Sequence, residues 1–463
     1  MIAGAVAVLA LAGAIAVLVL VVSGDSDGGS GRTGDDGGSG GSRDPSARVL
    51  RDADGEAREI GRDLGVIEVT ESERLGIRAL ELGAEAGLQE YTRTHGALAL
   101  DFDDDGDEDV LVNRHYFAPL RLYRNNGDGT FADVTGELIP RSERDIRDPH
   151  GCAAADVNRN GRLDIYCTTG GAKGREPNPA KLWIQQADGT FRDRTDRFGV
   201  GDPFGRGREA AFIDANGDGY PDLFHGTTYP REDGEPTPNR LFINEGGERF
   251  REAPEFGLEA DRDVSTVDVA DYDGDGYEDL LVCGSDGLFL FRNVDGERFE
   301  DVAAEVGLDV PRCPAAAFGR FDRDRDPDIV YATRTAVHVG LQEDGEFADG
   351  FELEVSDSRR VAVGDVNGDG LDDVFVLRSG KPDADFGDLL LVNRGQGRRF
   401  VNMAIPQTRR GLGESVTAID YTGNGLTDFV VMNGLRNHEG LIRLIALEPL
   451  RGGSGAAGSS GQR

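Results

Sequence analysis

An aspartate-rich nonapeptide with the pattern D-x-[DN]-x-[DN]-G-x-x-D recurs along the chain, and its residue types suit the capture of a hard cation. Asp or Asn at positions 1, 3 and 5 points oxygens inward from a tight loop. Gly at position 6 permits the sharp turn, and a carboxylate at position 9 completes the cage. Ca²⁺ takes six to eight oxygens at roughly 2.3–2.6 Å. Loop one (Asp101, Asp103, Asp105, Asp109) and loop four (Asp271, Asp273, Asp275, Asp279) carry four carboxylates each. Loop two (Asp156, Asn158, Asn160, Asp164), loop three (Asp214, Asn216, Asp218, Asp222) and loop six (Asp365, Asn367, Asp369, Asp373) exchange some charge for amide oxygen, which predicts weaker binding. Loop seven keeps Asp420, Asn424 and Asp428 but has Thr422 at position 3, so five Ca²⁺ sites are expected and a sixth is left open. In loop five Arg320 stands at position 1 and Arg325 replaces Gly, so Asp322, Asp324 and Asp328 are expected in ion pairs instead. An EF-hand would need Glu at position 12 and flanking helices. The alternative is that Asp, Asn and Gly merely mark solvated turns. Five near-intact copies in register argue against it, as does the repulsion among four carboxylates without a cation.

The elements that position these loops follow from their spacing. They begin at Asp101, Asp156, Asp214, Asp271, Arg320, Asp365 and Asp420, at intervals of 45 to 58 residues. Each interval suits four short strands with turns, the content of one propeller blade, so the expected fold is an all-β, seven-bladed β-propeller. Small and apolar runs such as Ala97 to Leu100 precede the loops and suit innermost strands; Val110 to Val112 and its counterparts form the second strands. A third strand ends near Asn or Gln, and a Gly-containing turn leads to a Phe, such as Phe131 or Phe191, that opens the outer strand and packs between blades. The last repeat stops short of its Gly-Phe strand. Residues 77–88 read like residues 298–308, so the N-terminal segment is expected to supply the outer strand of blade seven and close the ring.

Residues 2–22 contain no charged or strongly polar side chain, and about 20 apolar residues suffice to cross a bilayer as a helix. An uncleaved anchor over 1–22 is expected, with a cleaved signal as the alternative. Residues 23–46 read as a flexible Gly/Ser/Asp linker, 47–450 as the propeller, and 451–463 as a disordered tail. With 86 acidic against 50 basic residues the formal charge is −36, which weighs against nucleic acid as a partner. The propeller is expected outside the cytosol, at the cell surface through the N-terminal helix, or else secreted or periplasmic. Cys152 and Cys167 can face each other across a strand pair, and Cys283 and Cys313 flank the passage from blade four to five; disulfides there suit export.

On these residues the chain resembles the FG-GAP or VCBS repeat proteins, the calcium-loop propellers that also form the head of integrin α subunits. His95-Gly96 and His150-Gly151 ahead of two loops, and the stretch from Asp128 to Thr135, look more like the secreted branch related to cartilage acidic protein and the ASPIC/UnbV proteins. The resemblance covers about residues 77–447. It implies structural calcium and binding of a protein or glycan ligand in adhesion or recognition. A recognisable ASPIC/UnbV-type extension after blade seven is lacking, so functions of that module are not carried over.

Six positions ahead of the loops stand His95, His150, Arg208, Ser265, Pro314, Arg359 and Glu414, expected around the channel mouth opposite the calcium loops. Such a polar ring could receive an anionic ligand, or be ordinary strand starts wetted by a central channel. The long connections from Gly170 to Ala180 and from Gly226 to Pro238, with Arg175, Glu176, Tyr229, Arg231 and Glu232, should project on that same face, where a partner would be sought. No Gly-x-Ser-x-Gly, His-Glu-x-x-His or phosphate loop occurs. An exported glycan- or phosphoester-active enzyme with its site at the channel mouth is the second reading, because such a site leaves no linear motif.

Overall fold

A computed structural model of the protein describes residues 58–450 apart from 60–65, 68, 73–74, 89, 116–119, 171–177, 203, 229–231, 233, 236, 259–261, 380–386, 404, 406–412 and 435–439. The apolar segment 2–22, the linker 23–46 and the tail 451–463 lie outside the described residues. Among the described residues no helix is long and apolar enough to cross a membrane.

Among the described residues seven antiparallel sheets form the blades, one per repeat, and a separate two-stranded sheet pairs Arg58–Glu59 with Val66–Ile67. In blade one the strands are Thr94–Leu100, Asp109–Arg114, Arg121–Asn125 and Phe131–Asp133, hydrogen-bonded in that order. Inner strands neighbour one another in cyclic order, and the seventh, Gly413–Ile419, packs against the first. The expected seven-bladed propeller is the fold. Second strands are buried along nearly their whole length, as a strand covered on both faces must be, and read as continuous apolar runs such as Val110-Leu111-Val112.

Two contacts join successive blades. The outer-strand Phe packs on the position-2 residue of the preceding blade's loop: Phe191 on Phe102 with centroids 6.4 Å apart, Phe347 on Tyr272 at 6.1 Å, Phe400 on Phe321 at 6.0 Å and Phe131 on Tyr421 at 5.5 Å. Beside it, the carboxamide that ends the third strand donates to the backbone carbonyl of that same position-2 residue. Asn125 reaches Tyr421 O at 3.2 Å, Gln185 reaches Phe102 O at 2.8 Å and Asn244 reaches Val157 O at 2.8 Å. Asn293 reaches Ala215 O at 2.9 Å, Gln342 reaches Tyr272 O at 3.1 Å and Asn393 reaches Phe321 O at 2.7 Å. In blade seven Leu447 holds this place, and closure there is made differently.

Ile77–Glu81 pairs antiparallel with Gly440–Pro449, with Ile77 opposite Pro449 and Glu81 opposite Ile445, so the N-terminal segment closes blade seven as its sequence likeness to blade four implied. A further strand, Val69–Ser72, adds outside it. That strand was not anticipated, because it carries none of the Gly-Phe turn signal that marks the others. Buried Arg443 donates from Nε to Glu81 Oε2 at 2.7 Å across the closing pair. Both cysteine pairs, left open by the sequence, form disulfides. Cys152–Cys167 joins directly opposed residues of the inner and second strands of blade two, with Cα atoms 4.1 Å apart, and Cys283–Cys313 ties blade four to the start of blade five.

Candidate functional site

Every loop lies between an inner and a second strand, and its position-9 aspartate is the first residue of the second strand. That aspartate is fully buried in all seven blades. In six blades its two carboxylate oxygens accept two backbone amides. Asp279, for example, takes Tyr272 N–H at 2.9 Å and Asn293 N–H at 2.7 Å, and Asp109 takes Phe102 N–H at 3.0 Å and Asn125 N–H at 2.8 Å. Position 1 staples the loop itself: Asp271 accepts Asp275 N–H at 3.1 Å and Gly276 N–H at 3.0 Å. The position-6 glycines have φ between 78° and 95°, a conformation that a Cβ disfavours.

Carboxylates converge in the two loops that carry four of them. One oxygen each from Asp101, Asp103 and Asp109, and one each from Asp271, Asp273 and Asp279, lie within 4.8 Å of one another. Asp105 and Asp275 sit exposed on the same loops. An all-oxygen anionic donor set of this kind fits Ca²⁺. The amide-containing loops differ. Asn158 turns its Nδ2 to Asp164 at 3.3 Å, Asn367 turns its Nδ2 to Asp373 at 3.2 Å, and Asn216 turns its Nδ2 to Asp218 at 3.1 Å, each partly answering a carboxylate with an N–H. In loop seven Asp420 staples Asn424 N–H and Gly425 N–H, Asp428 accepts Leu447 N–H at 2.6 Å, and Asn424 Nδ2 donates to Leu447 O at 3.2 Å.

Loop five departs from expectation. Among the described residues no ion pair within 4 Å involves Asp322, Asp324 or Asp328. Asp328 instead makes the same buried clasp as its counterparts, to Phe321 N–H at 2.8 Å and Gln342 N–H at 3.0 Å, while Asp322 and Asp324 cap turn amides. The backbone N–H of Arg320 is taken by Asp372 of loop six at 2.7 Å.

Burial pushes the position-9 carboxyls up, to about 7 for Asp109, Asp164, Asp222 and Asp279, about 8 for Asp373 and Asp428, and about 6 for Asp328. Backbone N–H groups oppose the shift and neighbouring carboxylates add to it. Burial, with the next carboxylate along the loop, also raises Asp103 and Asp273. A bound cation would relieve these penalties.

At the opposite ends of the inner strands lies a cavity of about 510 Å³ lined by six of the seven expected ring residues, His95, Arg208, Ser265, Pro314, Arg359 and Glu414. The seventh, His150, stacks on His95 with centroids 4.1 Å apart. Charges in the cavity are largely matched: Arg359 pairs with Glu414, and Arg360 lies 3.6 Å from Glu209. Burial raises Glu209 to about 7 and holds His95, His115 and His150 below their ordinary values, with Asp148 opposing the shift at His115 and His150. Sequence reasoning missed His115, Asp148, Glu209 and Arg360 here. His115 stands six residues past Asp109, just as the expected ring stands six ahead of each loop start, and counting forward as well as back would have found it. Parts of the two long connections on this face (171–177, 229–231, 233 and 236) lie outside the described residues, including Arg175, Glu176, Tyr229 and Arg231.

A family model described as an FG-GAP-like repeat matches residues 101–167, 232–282, 271–331, 320–376 and 365–431. Cartilage acidic protein 1 of Homo sapiens is 28% identical over 288 residues, covering 58% of this chain and 39% of that protein; the Mus musculus protein matches equally, over 40% of its length. The chain thus spans about two-fifths of the length of these curated relatives. Among solved structures, an Agrocybe aegerita lectin described as recognising non-reducing terminal N-acetylglucosamine is similar at a TM-score of 0.46 and 20% identity, over 67% of this chain and 80% of that one. BBS1N in complex with ARL6DN is similar at 0.47 and 11% identity, over 78% and 93%. Both are distant.

Proposed function

Because the chain belongs to the FG-GAP-like repeat family, we propose that it is a calcium-stabilised recognition scaffold, displayed outside the cytosol, that takes a protein or glycan ligand on the face where the inner strands begin. The observation that carries the calcium reading is the convergence of three carboxylates in each of loops one and four, on a framework whose position-9 aspartates are buried at a cost a cation would offset. Loops two, three and six would bind more weakly through their mixed donors, and loop seven through Asp420, Asn424 and Asp428. Each bound ion would tie an inner strand to a second strand and leave the opposite face free. There Thr228, at the start of the second long connection, lines a polar cavity, and the 170–180 and 226–238 connections are where a partner would be sought. Two disulfides suit an oxidising compartment, reached by an anchor or signal in residues 2–22.

A thermal melt of the full chain in Ca²⁺, in Mg²⁺ and in excess chelator tests this reading. A native-state ligand adds RT ln(1 + [L]/Kd), about 2.7 kcal/mol per site at a hundredfold excess over Kd. Calcium alone should raise the melting temperature by several degrees; an unchanged melt in chelator would make the loops metal-free turns. Ligand binding that is lost on exchanging 226–238, without turnover, supports the recognition role. The second reading, an exported glycan- or phosphoester-active enzyme, draws on the imidazole-rich cavity, and turnover abolished by His150→Ala but kept in Asp273→Asn would favour it.

A further inference from the structure

Far from the aspartate loops, His115, Asp148 and His150 bring three ligand atoms within 4.8 Å of one another. His115 Nε2 is 3.4 Å and His150 Nε2 is 3.7 Å from Asp148 Oδ1. Ligand atoms around a tetrahedral ion with bonds of about 2.0–2.1 Å stand about 3.3–3.4 Å apart, so the trio is spaced as a coordination shell with its centre open.

The decisive residue is His150. Its Nδ1 lies 2.7 Å from Gly207 O, an acceptor only, so Nδ1 carries the proton and Nε2 presents a lone pair. That nitrogen is buried, on a side chain 4% exposed, and has no hydrogen-bond partner. A backbone carbonyl holding one imidazole nitrogen while the other faces a carboxylate is the arrangement that orients metal-bound histidines. Leaving such an acceptor buried beside a carboxylate is costly, and a cation between them removes the cost.

The trio sits on rigid parts of the fold. His115 follows the second strand of blade one, while Asp148 and His150 bracket the start of the inner strand of blade two. Gly170, at the end of that blade's second strand, closes the back: a Cβ there would come within 2.5 Å of Asp148 Oδ2 and His150 Cε1. Asp148 itself is held at φ 56°, a conformation uncommon for a residue with a Cβ. His95 stacks on His150 as a wall, but its Nε2 is 3.0 Å from Arg208 Nη1 and is therefore occupied. The front is open, because His115 and Asp148 are each about one-fifth exposed and His115 lines the 510 Å³ cavity.

We propose that His115, Asp148 and His150 form a second, transition-metal site of the zinc class at the channel mouth, with three protein ligands and an open position facing the cavity. Imidazole nitrogen selects zinc-class ions over Ca²⁺ and Mg²⁺, which take oxygen. The open position suits an oxygen donor, either water or a carboxylate or phosphate group of a ligand in the cavity.

The test uses untagged full-length protein saturated with Ca²⁺ and titrated with Co²⁺, whose visible absorption reports coordination, followed by displacement with Zn²⁺. One equivalent of Co²⁺ should bind, give visible bands and be displaced by one equivalent of Zn²⁺, and X-ray absorption should show two imidazole nitrogens in the first shell. His115→Gln and Asp148→Asn should each weaken binding by more than about 100-fold, the upper end of what losing a second-shell partner costs, while the calcium-induced melting shift stays intact. Both side chains are partly exposed, and Asn tolerates positive φ, so these variants keep the fold. No visible band, an oxygen-only first shell, or Co²⁺ binding unchanged in the double variant overturns the proposal, and the wild-type measurements decide it even if a variant fails to fold. A calcium shift with no cobalt site rejects this inference alone; a cobalt site with no calcium shift rejects only the calcium reading.

Discussion

Position 9 of each loop does two jobs that a pattern in the sequence does not separate. Asp279 contributes an oxygen to the cluster with Asp271 and Asp273, yet both of its oxygens are already engaged with buried backbone amides. Asp273 accepts only an exposed loop amide, Asp275 N–H at 3.3 Å. Asp273→Asn should therefore lower the calcium-induced melting shift while changing the melt in chelator by less than about 0.5 kcal/mol, as surface substitutions do. Asp279→Asn faces an amide with an N–H and should cost about 1–3 kcal/mol even in chelator. Equal effects in chelator would mean that the clasp contributes nothing. Loop five supplies a cleaner view of the carboxylate, because Arg320 and Arg325 break its metal pattern. Asp328 is raised by burial to about 6, so its contribution to stability is fully present below its ordinary value near 3.8 and is lost as pH rises through about 6. The melting gap between wild type and Asp328→Asn in saturating Ca²⁺ should then be widest near pH 4 and narrow towards pH 7; a gap that widens would show that the backbone amides hold Asp328 charged. The metal pattern itself was legible because oxygen donors at alternate positions have one efficient use. The clasp was not, since its second amide belongs to a strand 14 to 22 residues further on.

Between elements, the recurring Asn or Gln at the end of the third strand makes the same inter-blade bond in six blades. Its place in the repeat was readable, but its acceptor lies 70 to 296 residues away in the preceding blade, beyond any local pattern. Asn244 shows what the group does. Its Nδ2 serves Val157 O at 2.8 Å and Pro221 O at 3.0 Å, and its Oδ1 accepts Gly247 N–H at 2.8 Å, so one carboxamide joins two blades and fixes the hairpin leading to Phe250. Asn244→Ala leaves buried carbonyls unanswered and should lower stability by about 1–3 kcal/mol in chemical denaturation. Asn244→Gln should recover most of it, because Gln185 and Gln342 make the same reach in blades two and five. If Gln proves no better than Ala, shape at the junction rather than the hydrogen bond would be what matters. Strand order needed no such long-range information: small-residue runs, aspartate loops and Gly-Phe turns repeat in fixed order, and antiparallel neighbours joined by short turns have little choice of partner.

For the whole molecule, the question is how a chain with two ends makes a ring. Blade seven lacks the carboxamide at Leu447 and borrows its outer strand from residues 77–81, so closure rests on the pairing of Ile77–Glu81 with Gly440–Pro449. A buried charge pair sits in the middle of that seam. Glu81 accepts Arg443 Nε at 2.7 Å, Gly83 N–H at 3.0 Å and Leu444 N–H at 3.3 Å, and Arg443 also lies 3.8 Å from Asp388 of blade six. Such a pair is worth little against a well-packed apolar substitute, but removing one partner strands the other in the interior at about 3–5 kcal/mol. Glu81→Gln should therefore fall towards the low end of that range, since Asp388 still faces the guanidinium and Gln can accept one amide. The double variant Glu81→Leu with Arg443→Met should regain much of the loss. If the pair instead sets the register of the closing strand, the double variant will fold with normal stability yet expose the edge of residues 440–449 and associate through it, which sedimentation would detect. Recovery with a monomeric protein would make the pair a tolerated burden, and recovery with association would make it the device that tells the last blade which strand to accept.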